Sequence, residues 1–226
     1  MRIPPIVVNF KAYSEAVGDN AVRLAKIAAE VAEEVGVKIG ICPAHTDLYR
    51  VVKEVGDGDV VVFAQAVDAA EPGSRTGHVT PEMVAAAGAD GTLLNHSERR
   101  MRLDDLKDVC RACMNEGLLT IVCASDSMAA RAAGALQPHA VAVEPPELIG
   151  TGTPVSKADP EVVERSVEAV KEVSEDTAVL CGAGITDGSD VRAAIELGSD
   201  GVLVASGVVL ADDPKEALLD LASGLE

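Results

Sequence analysis

Three side chains with complementary proton chemistry follow short apolar runs in this sequence. Lys11 comes two residues after "PIVVN", His96 directly follows "GTLLN", and Glu144 directly follows "HAVAV". A carboxylate can take a proton, an imidazole can donate a hydrogen bond, and an ammonium group can stabilise charge on an oxygen. The ordinary alternatives are a snorkelling lysine, a structural histidine and an exposed loop glutamate. The shared position at the end of an apolar run favours the chemical interpretation.

His96 lies in the segment "NHSERR", residues 95–100. Ser97 is a typical N-cap residue, so we expect a helix to begin directly behind it. The positive end of that helix would favour the neutral imidazole. A neutral imidazole could donate a hydrogen bond to a substrate oxygen without carrying charge.

Glu144 opens the segment "EPPELIGTG", residues 144–152. Apolar walls around the preceding run would disfavour the ionised carboxylate and make it a stronger base. Prolines restrict the start of the following loop and glycines free its end. This pattern predicts a lid that moves as one body, made of Pro145, Pro146, Glu147, Leu148, Ile149, Gly150, Thr151 and Gly152. An ordinary turn-rich connection is the alternative.

Two glycine-containing segments, "CGAGITDG" and "ASGVVLADDP", are suited to binding an anion. Glycines let backbone N–H groups approach a phosphate closely, and a short helix beginning near Ser206 would add its dipole. Gly182 and Gly184 also resemble the start of a dinucleotide fingerprint. The third glycine is one position late, at Gly188, and the segment follows the seventh apolar run instead of the first. Phosphate binding is therefore favoured over nucleotide binding.

Eight short apolar runs alternate with segments of helical periodicity. The runs cover residues 5–9, 37–41, 59–64, 91–95, 118–122, 139–143, 177–181 and 201–205, and helices are predicted at 20–35, 45–55, 80–87, 102–115, 125–134, 159–173, 187–196 and 213–222. Apolar strands separated by helices indicate a parallel sheet that is buried on both faces. Strict alternation predicts an α/β fold, a (β/α)8 barrel in one domain over residues 1–226, with an open doubly wound sheet as the alternative. In both folds the chemistry lies at the carboxyl ends of the strands, where Lys11, His96 and Glu144 would meet.

Composition narrows the expected partners and compartment. The chain has 37 acidic and 19 basic residues, a formal charge of −18, which argues against nucleic acid or an anionic membrane as a partner. Five cysteines without a recognisable signal segment or long apolar run predict a reducing, cytoplasmic setting. Cys110 and Cys113 form a C-x-x-C inside a helical pattern, with no second pair, so core packing is favoured over a metal or redox site. We expect no metal and no cofactor.

The N-x-K after the first run, the H-S-E after the fourth and the E-P-x-x-x-I-G-T-G after the sixth resemble the triosephosphate isomerase family, particularly its compact archaeal branch. The resemblance extends from the first strand to the last helix. It implies a (β/α)8 barrel that interconverts glyceraldehyde 3-phosphate and dihydroxyacetone phosphate without a cofactor. A phosphorylated triose would be the substrate, in glycolysis and gluconeogenesis.

The resemblance also implies a role for each matching position. Glu144 would be the base, His96 the neutral electrophile and Lys11 the cation that stabilises the enediolate, with Glu98 and Ser97 in support. Substrate contacts would come from Asn9, Phe10, Lys11, Ile149, Gly184, Ala205 and Ser206. Ala205 and Ser206 stand where the family commonly has two glycines, the lid lacks a common tryptophan, and the helices after strands 5 and 6 look reduced.

One long connection, residues 68–80, implies self-association. In the family this loop reaches into a neighbouring subunit, and Thr76 and Gly77 match its tip. The resemblance therefore implies a homodimer or homotetramer, with His78 at an interface or surface position and not a catalytic one.

Two other functions remain open from the residues. Another phosphate-binding barrel enzyme, such as a lyase, would keep the glycine loops without the full set of Lys11, His96 and Glu144. A catalytically silent binding module would be expected to have lost the base or the lysine, and this chain has both.

Overall fold

The computed structural model describes residues 3–56, 58–145, 148 and 154–225. Parallel strands close into a barrel in chain order, each pairing with the next and β1 with β8. The strands are β1 (Ile6–Asn9), β2 (Ile39–Cys42), β3 (Val60–Ala64), β4 (Gly91–Leu94), β5 (Leu119–Ala124), β6 (Ala140–Val143), β7 (Ala178–Cys181) and β8 (Gly201–Val204). The predicted (β/α)8 barrel is confirmed, and the open doubly wound sheet is wrong.

Helices surround this barrel. They are α1 (Asp19–Val35), α2 (Leu48–Val55), α3 (Pro81–Ala86), α4 (Leu103–Asn115), α5 (Ser127–Gly134), α6 (Val155–Ala158), α7 (Pro160–Lys171), α8 (Gly188–Glu196), α9 (Ser206–Val209) and α10 (Pro214–Ser223), with a 3-10 turn at Ser14–Ala16. The helix after β5 is short, with 8 residues, but α7 has 12, which corrects the expectation of a reduced helix after β6. Within the described residues, no helix is both long and apolar enough to cross a membrane.

The interior of the barrel accommodates one large ring, that of Phe63 on β3. Gly40 on β2 and Gly91 on β4 lie against it, so a Cβ at Gly91 would stand 2.7 Å from the ring. Because aromatic residues make up only 2% of the chain, most of the remaining interior is aliphatic or thiol-bearing. Because Gly40 and Gly91 have no side chains, the Phe63 ring fits between β2 and β4 in a close-packed interior.

At the end of the barrel remote from the predicted site, the same hydrogen-bond arrangement occurs twice. Asp90 and Asp200 each precede the glycine that begins a strand, and each accepts a backbone hydrogen bond of 2.8 Å from the preceding strand, at Val62 and Val179 respectively. The glycine after Asp200 lets Pro5 approach so closely that an added Cβ would lie 2.3 Å from its carbonyl oxygen. This contact helps β8 to close on β1.

Gly201→Ala should therefore destabilise the fold. A methyl group there would force β1 and β8 apart, and overpacking of this kind costs about 1–3 kcal/mol or more. Chemical denaturation should show a lower free energy of unfolding for this variant. Gly58→Ala is the control, because its Cβ would make only an ordinary 3.4 Å contact with the Val55 carbonyl oxygen. Equal stability of the two variants would contradict this account of barrel closure.

The five cysteines are free and buried. Cys110 and Cys113 lie on the buried face of α4 with Leu106 and Val109, which confirms the core-packing interpretation. Burial, the first cause, raises the pKa of the Cys113 thiol to about 12, so it stays protonated near neutral pH.

Candidate active site

Lys11 follows β1 in a left-handed backbone conformation, with φ +49°. Such a conformation is costly for a residue with a side chain and persists only when neighbours enforce it. The Asn9 side-chain oxygen accepts a 2.9 Å hydrogen bond from the Lys11 backbone N–H, and the Gln65 amide donates to the Lys11 carbonyl at 2.8 Å. Gln65, which directly follows β3, therefore helps to orient the lysine, a role that the sequence did not predict.

The Lys11 ammonium forms an ion pair with Glu98, which follows β4. Nζ lies 2.9 Å from Glu98 Oε1, and the lysine side chain is only 12% exposed while that of Glu98 is 56% exposed. Glu98, which the resemblance gives as a supporting residue, is thus in contact with Lys11. Because the Glu98 carboxylate is half-exposed, water screens its charge. The ion pair therefore restrains the Lys11 side chain but offsets less of its positive charge than a fully buried carboxylate would.

His96 follows β4 in a turn and not at the start of a helix. The Arg99 N–H donates to the His96 carbonyl at 2.8 Å, and α4 begins only at Leu103, with Arg102 at its N-cap. The expectation that Ser97 caps a helix is therefore wrong. The Glu98 backbone N–H instead donates to His96 Nδ1 at 3.2 Å. Since an amide N–H cannot accept, this contact assigns the lone pair to Nδ1 and the proton to Nε2.

Asn95 fixes the turn that carries His96. Its backbone is left-handed, with φ +58°, a conformation that asparagine tolerates better than most residues. Its side chain donates to the Cys123 carbonyl at 3.0 Å and accepts from the Met101 N–H at 2.9 Å. The side chain thereby joins the β4 turn to β5, a role that sequence analysis did not assign.

Glu144 follows β6 and is only 6% exposed. Its backbone N–H donates to the Ala124 carbonyl at 2.8 Å, and a Cβ at Gly182 would lie 3.1 Å from its Cγ. Burial, then the Glu144 charge and a hydrogen bond to it, raise the pKa of the Cys123 thiol well above its usual range. The carboxylate thus sits between a protonated thiol on β5 and a glycine after β7.

The functional atoms of His96 and Glu144 face each other. Nε2 and Oε2 are 3.4 Å apart, and among the residues that the structure describes neither atom has a hydrogen-bond partner. An unsatisfied buried polar atom costs about 1–3 kcal/mol, so a facing pair calls for a functional explanation. A proton donor thus faces a proton acceptor: Glu144 lines one pocket, His96 lines a second, and Asn9 and Lys11 line both.

A pocket beside Glu144 connects the carboxylate to both glycine loops. It is lined by Asn9, Lys11, Tyr13, Glu144, Ala183, Gly184, Ile185, Thr186, Leu203, Val204, Ala205 and Ser206. Gly184 has φ +78°, which glycine alone adopts without strain, and α9 begins at Ser206 as expected. Residues after β7 and β8 therefore line the same pocket as Glu144.

The other predicted site residues have different placements. Phe10 is 1% exposed in the apolar core outside the barrel and does not line this pocket. Of the predicted lid, Pro145 and Leu148 are described; Pro146, Glu147, Ile149, Gly150, Thr151 and Gly152 lie outside the described residues. Thr76 and Gly77 are exposed at the tip of the β3 loop. Across the described ranges, no group of three His, Cys, Asp or Glu side chains could hold a metal ion.

Comparisons with known proteins identify the family of the chain. The sequence model of the family described as triosephosphate isomerase matches residues 4–223. Proteins named triosephosphate isomerase are 84% identical over 226 residues in Methanopyrus kandleri, covering 100% of both chains, and 51% identical over 216 residues in Methanocaldococcus jannaschii, covering 96% of this chain and 97% of that one. Another, from Methanothermus fervidus, is 52% identical over 221 residues and 98% of each chain. The chain therefore belongs to the triosephosphate isomerase family.

Proposed function

We propose that Glu144, His96 and Lys11 carry out the interconversion of D-glyceraldehyde 3-phosphate and dihydroxyacetone phosphate in this protein. The observation that carries the proposal is the facing pair of His96 Nε2 and Glu144 Oε2, 3.4 Å apart without other partners in the described part of the chain. A carbonyl can move between neighbouring carbons only if a base removes a carbon-bound proton beside it and a donor stabilises the oxygen that gains charge.

Each of the three residues has one role in the proton transfers. Glu144 takes the proton from the carbon next to the carbonyl, and the electron pair of that C–H bond forms the enediolate double bond. His96 Nε2–H gives its proton to the oxygen that gains charge and takes the proton of the neighbouring hydroxyl, whose oxygen becomes the new carbonyl oxygen. Glu144 then returns its proton to the other carbon. Lys11, held by Glu98, lowers the energy of the anionic intermediate.

The phosphate group would lie on the side of the glycine loops. Gly184, Ala205 and Ser206 line the pocket that Glu144 also lines, so a phosphate bound by their backbone N–H groups would place the carbon skeleton near the base. A bound enediolate that meets water can expel its phosphate, so the site must also exclude water during the reaction. The proposed lid, residues 145–152, including Ile149, would serve that purpose.

A coupled assay with D-glyceraldehyde 3-phosphate tests this function, with unphosphorylated D-glyceraldehyde as the comparison. We expect turnover of the phosphorylated triose and far slower turnover of the other, because the phosphate contacts orient the reacting carbons. No isomerisation of the phosphorylated triose, at low and at high salt, would overturn the proposal. That result would favour another phosphate-binding barrel enzyme or a silent binding module.

We also propose that the protein works as a homodimer or homotetramer in the cytoplasm, acting on its triose phosphate without nucleic acid or membrane. In support, the β3 loop is exposed through Thr76 and Gly77, and a second pocket opens beside Lys11, Gln65, His96 and Glu98. A loop from a neighbouring subunit could cover that pocket. Sedimentation velocity at assay concentrations should give at least twice the chain mass of 23.2 kDa, and a fully active monomer would contradict this.

A further inference from the structure

Asp190 is a buried carboxylate that the mechanism does not use. It lies in the first turn of α8 and is 1% exposed. Ionised side chains are seldom buried so completely unless other groups hold them. Its partners come from two segments that approach the active-site end of the barrel, the β7 loop and α6.

The first partner is Thr186, which lines the pocket beside Glu144. Asp190 Oδ2 accepts hydrogen bonds from both the backbone N–H and the hydroxyl of Thr186, each at 2.9 Å. Two donors from one residue on one carboxylate oxygen fix that residue's backbone and side chain together. The end of the turn that begins at Gly184 is therefore tied to α8.

The second partner is Lys157 on α6. Its Nζ lies 2.5 Å from Asp190 Oδ1, and it also donates to Ser189 at 3.0 Å. The hydrogen bond to Asp190, the first cause, raises the pKa of the lysine, which stays charged near neutral pH. The ammonium supplies a counter-charge, so the carboxylate need not present an uncompensated negative charge to a pocket that receives a phosphate.

The β8 loop rests on the turn that Asp190 holds. Gly207 packs so tightly that an added Cβ would lie 3.0 Å from the Ile185 carbonyl oxygen and 3.3 Å from Thr186 Cα. A shift of Thr186 would therefore displace Ser206 and its neighbours as well. Thr186 and Ser206 both line the pocket, so the positions of both loops depend on the Asp190 side chain behind them.

We propose that Asp190, with Lys157 as its counter-ion, is a positioning residue for the phosphate end of the substrate: it holds Thr186 and, through it, the loops after β7 and β8. This inference rests on the proposed function for its substrate. The competing explanation is helix stabilisation alone, since Asp190 lies in the first turn of α8, whose N-cap is Asp187. Helix stabilisation predicts a change in unfolding free energy without a change in phosphate affinity.

Two matched pairs of variants separate these explanations. Thr186→Val removes the hydroxyl donor while keeping shape, and Thr186→Ser retains it. Asp190→Asn removes the charge at the positioning site. Asp200→Asn makes the same change at the opposite end of β7, where Asp200 accepts from Val179 N–H and pairs with Lys171 at 3.4 Å. The Lys157→Gln variant, alone and combined with Asp190→Asn, tests whether the two side chains act as a unit.

The readouts are KM and kcat for the triose phosphate, and calorimetric titration with inorganic phosphate, which requires no turnover. In Thr186→Val and Asp190→Asn we expect KM and the phosphate dissociation constant to rise about tenfold, the size of one charge-assisted hydrogen bond, with a much smaller fall in kcat. Thr186→Ser, which keeps the hydroxyl donor, should weaken phosphate binding much less than Thr186→Val does. Asp200→Asn should stay near wild type, and the Lys157→Gln and Asp190→Asn effects should be less than additive.

Unchanged phosphate affinity in folded Thr186→Val and Asp190→Asn would overturn the inference, even if their stability falls. Equal weakening in Asp200→Asn would also overturn it, because the effect would then not be local to the site. Since the titration is independent of turnover, a wild-type protein that binds phosphate without isomerising would contradict the proposed function and leave this inference measurable.

Discussion

Glu144→Asp should lower kcat by about a hundredfold or more while leaving KM close to wild type. The substitution keeps a carboxylate but withdraws it by one methylene, and misplacement of a reacting group by about 1 Å can cost about a hundredfold. Glu144 touches Gly182 on one side and faces His96 on the other, so the shorter side chain has no route to the same position. Steady-state kinetics in the coupled assay measures the change.

Two further variants test whether the fall in kcat comes from loss of the base. Glu144→Gln keeps the length but removes the base, so it should fall at least as far as Glu144→Asp. Glu172→Asp shortens an exposed glutamate that pairs with Arg131 and does not line the pocket beside Glu144, so it should keep wild-type kinetics. If Glu144→Gln retained most of the wild-type kcat, Glu144 could not be the base.

Lys11→Met should lower kcat/KM by about a hundredfold to a thousandfold, the usual cost of removing one group that stabilises charge in the transition state. Methionine has a similar length and leaves the Asn9 and Gln65 contacts to the backbone of residue 11 available. Its partner Glu98 is 56% exposed, so water can solvate the remaining carboxylate and the unfolding free energy should change little. Kinetics and thermal unfolding on the same preparation separate the two effects.

Lys107→Met is the matched control, because Lys107 is half-exposed on α4 and pairs only loosely, at 3.5 Å, with Asp108. It should keep full activity. Lys11→Arg retains a positive charge with a different donor geometry and should lie between Lys11→Met and wild type. Wild-type activity in Lys11→Met would show that the lysine does not stabilise the intermediate.

The barrel and the location of its chemistry follow from local patterns in the sequence. Apolar runs mark the strands because both faces of a barrel strand are buried, and Lys11, His96 and Glu144 stand within two residues of the ends of three of them. Ser97 shows where the local signal fails. A good N-cap residue alone does not start a helix, and the apolar spacing that buries a helix face begins only at Leu103.

The contacts that aim the site join residues distant in sequence. Gln65 holds Lys11 across 54 positions, and Asn95 reaches Cys123 across 28. No composition or periodicity signal connects such pairs, because they arise only when the strands assemble. Gly182 looked like part of an anion loop, yet its missing side chain also makes room for Glu144. The residue types at the strand ends can therefore be predicted from the sequence. The orientation of their side chains depends on contacts that form only in the closed barrel.

The most direct test of the central claim follows carbon-bound hydrogen during turnover in heavy water. If Glu144 removes the proton and returns it to the neighbouring carbon, part of the carried proton should exchange with solvent while it resides on the carboxylate. NMR of the wild-type reaction should then show deuterium on one of the two reacting carbons, with Glu144→Gln showing neither exchange nor isomerisation. Isomerisation and exchange at wild-type rates in Glu144→Gln would contradict the assignment of Glu144 as the base.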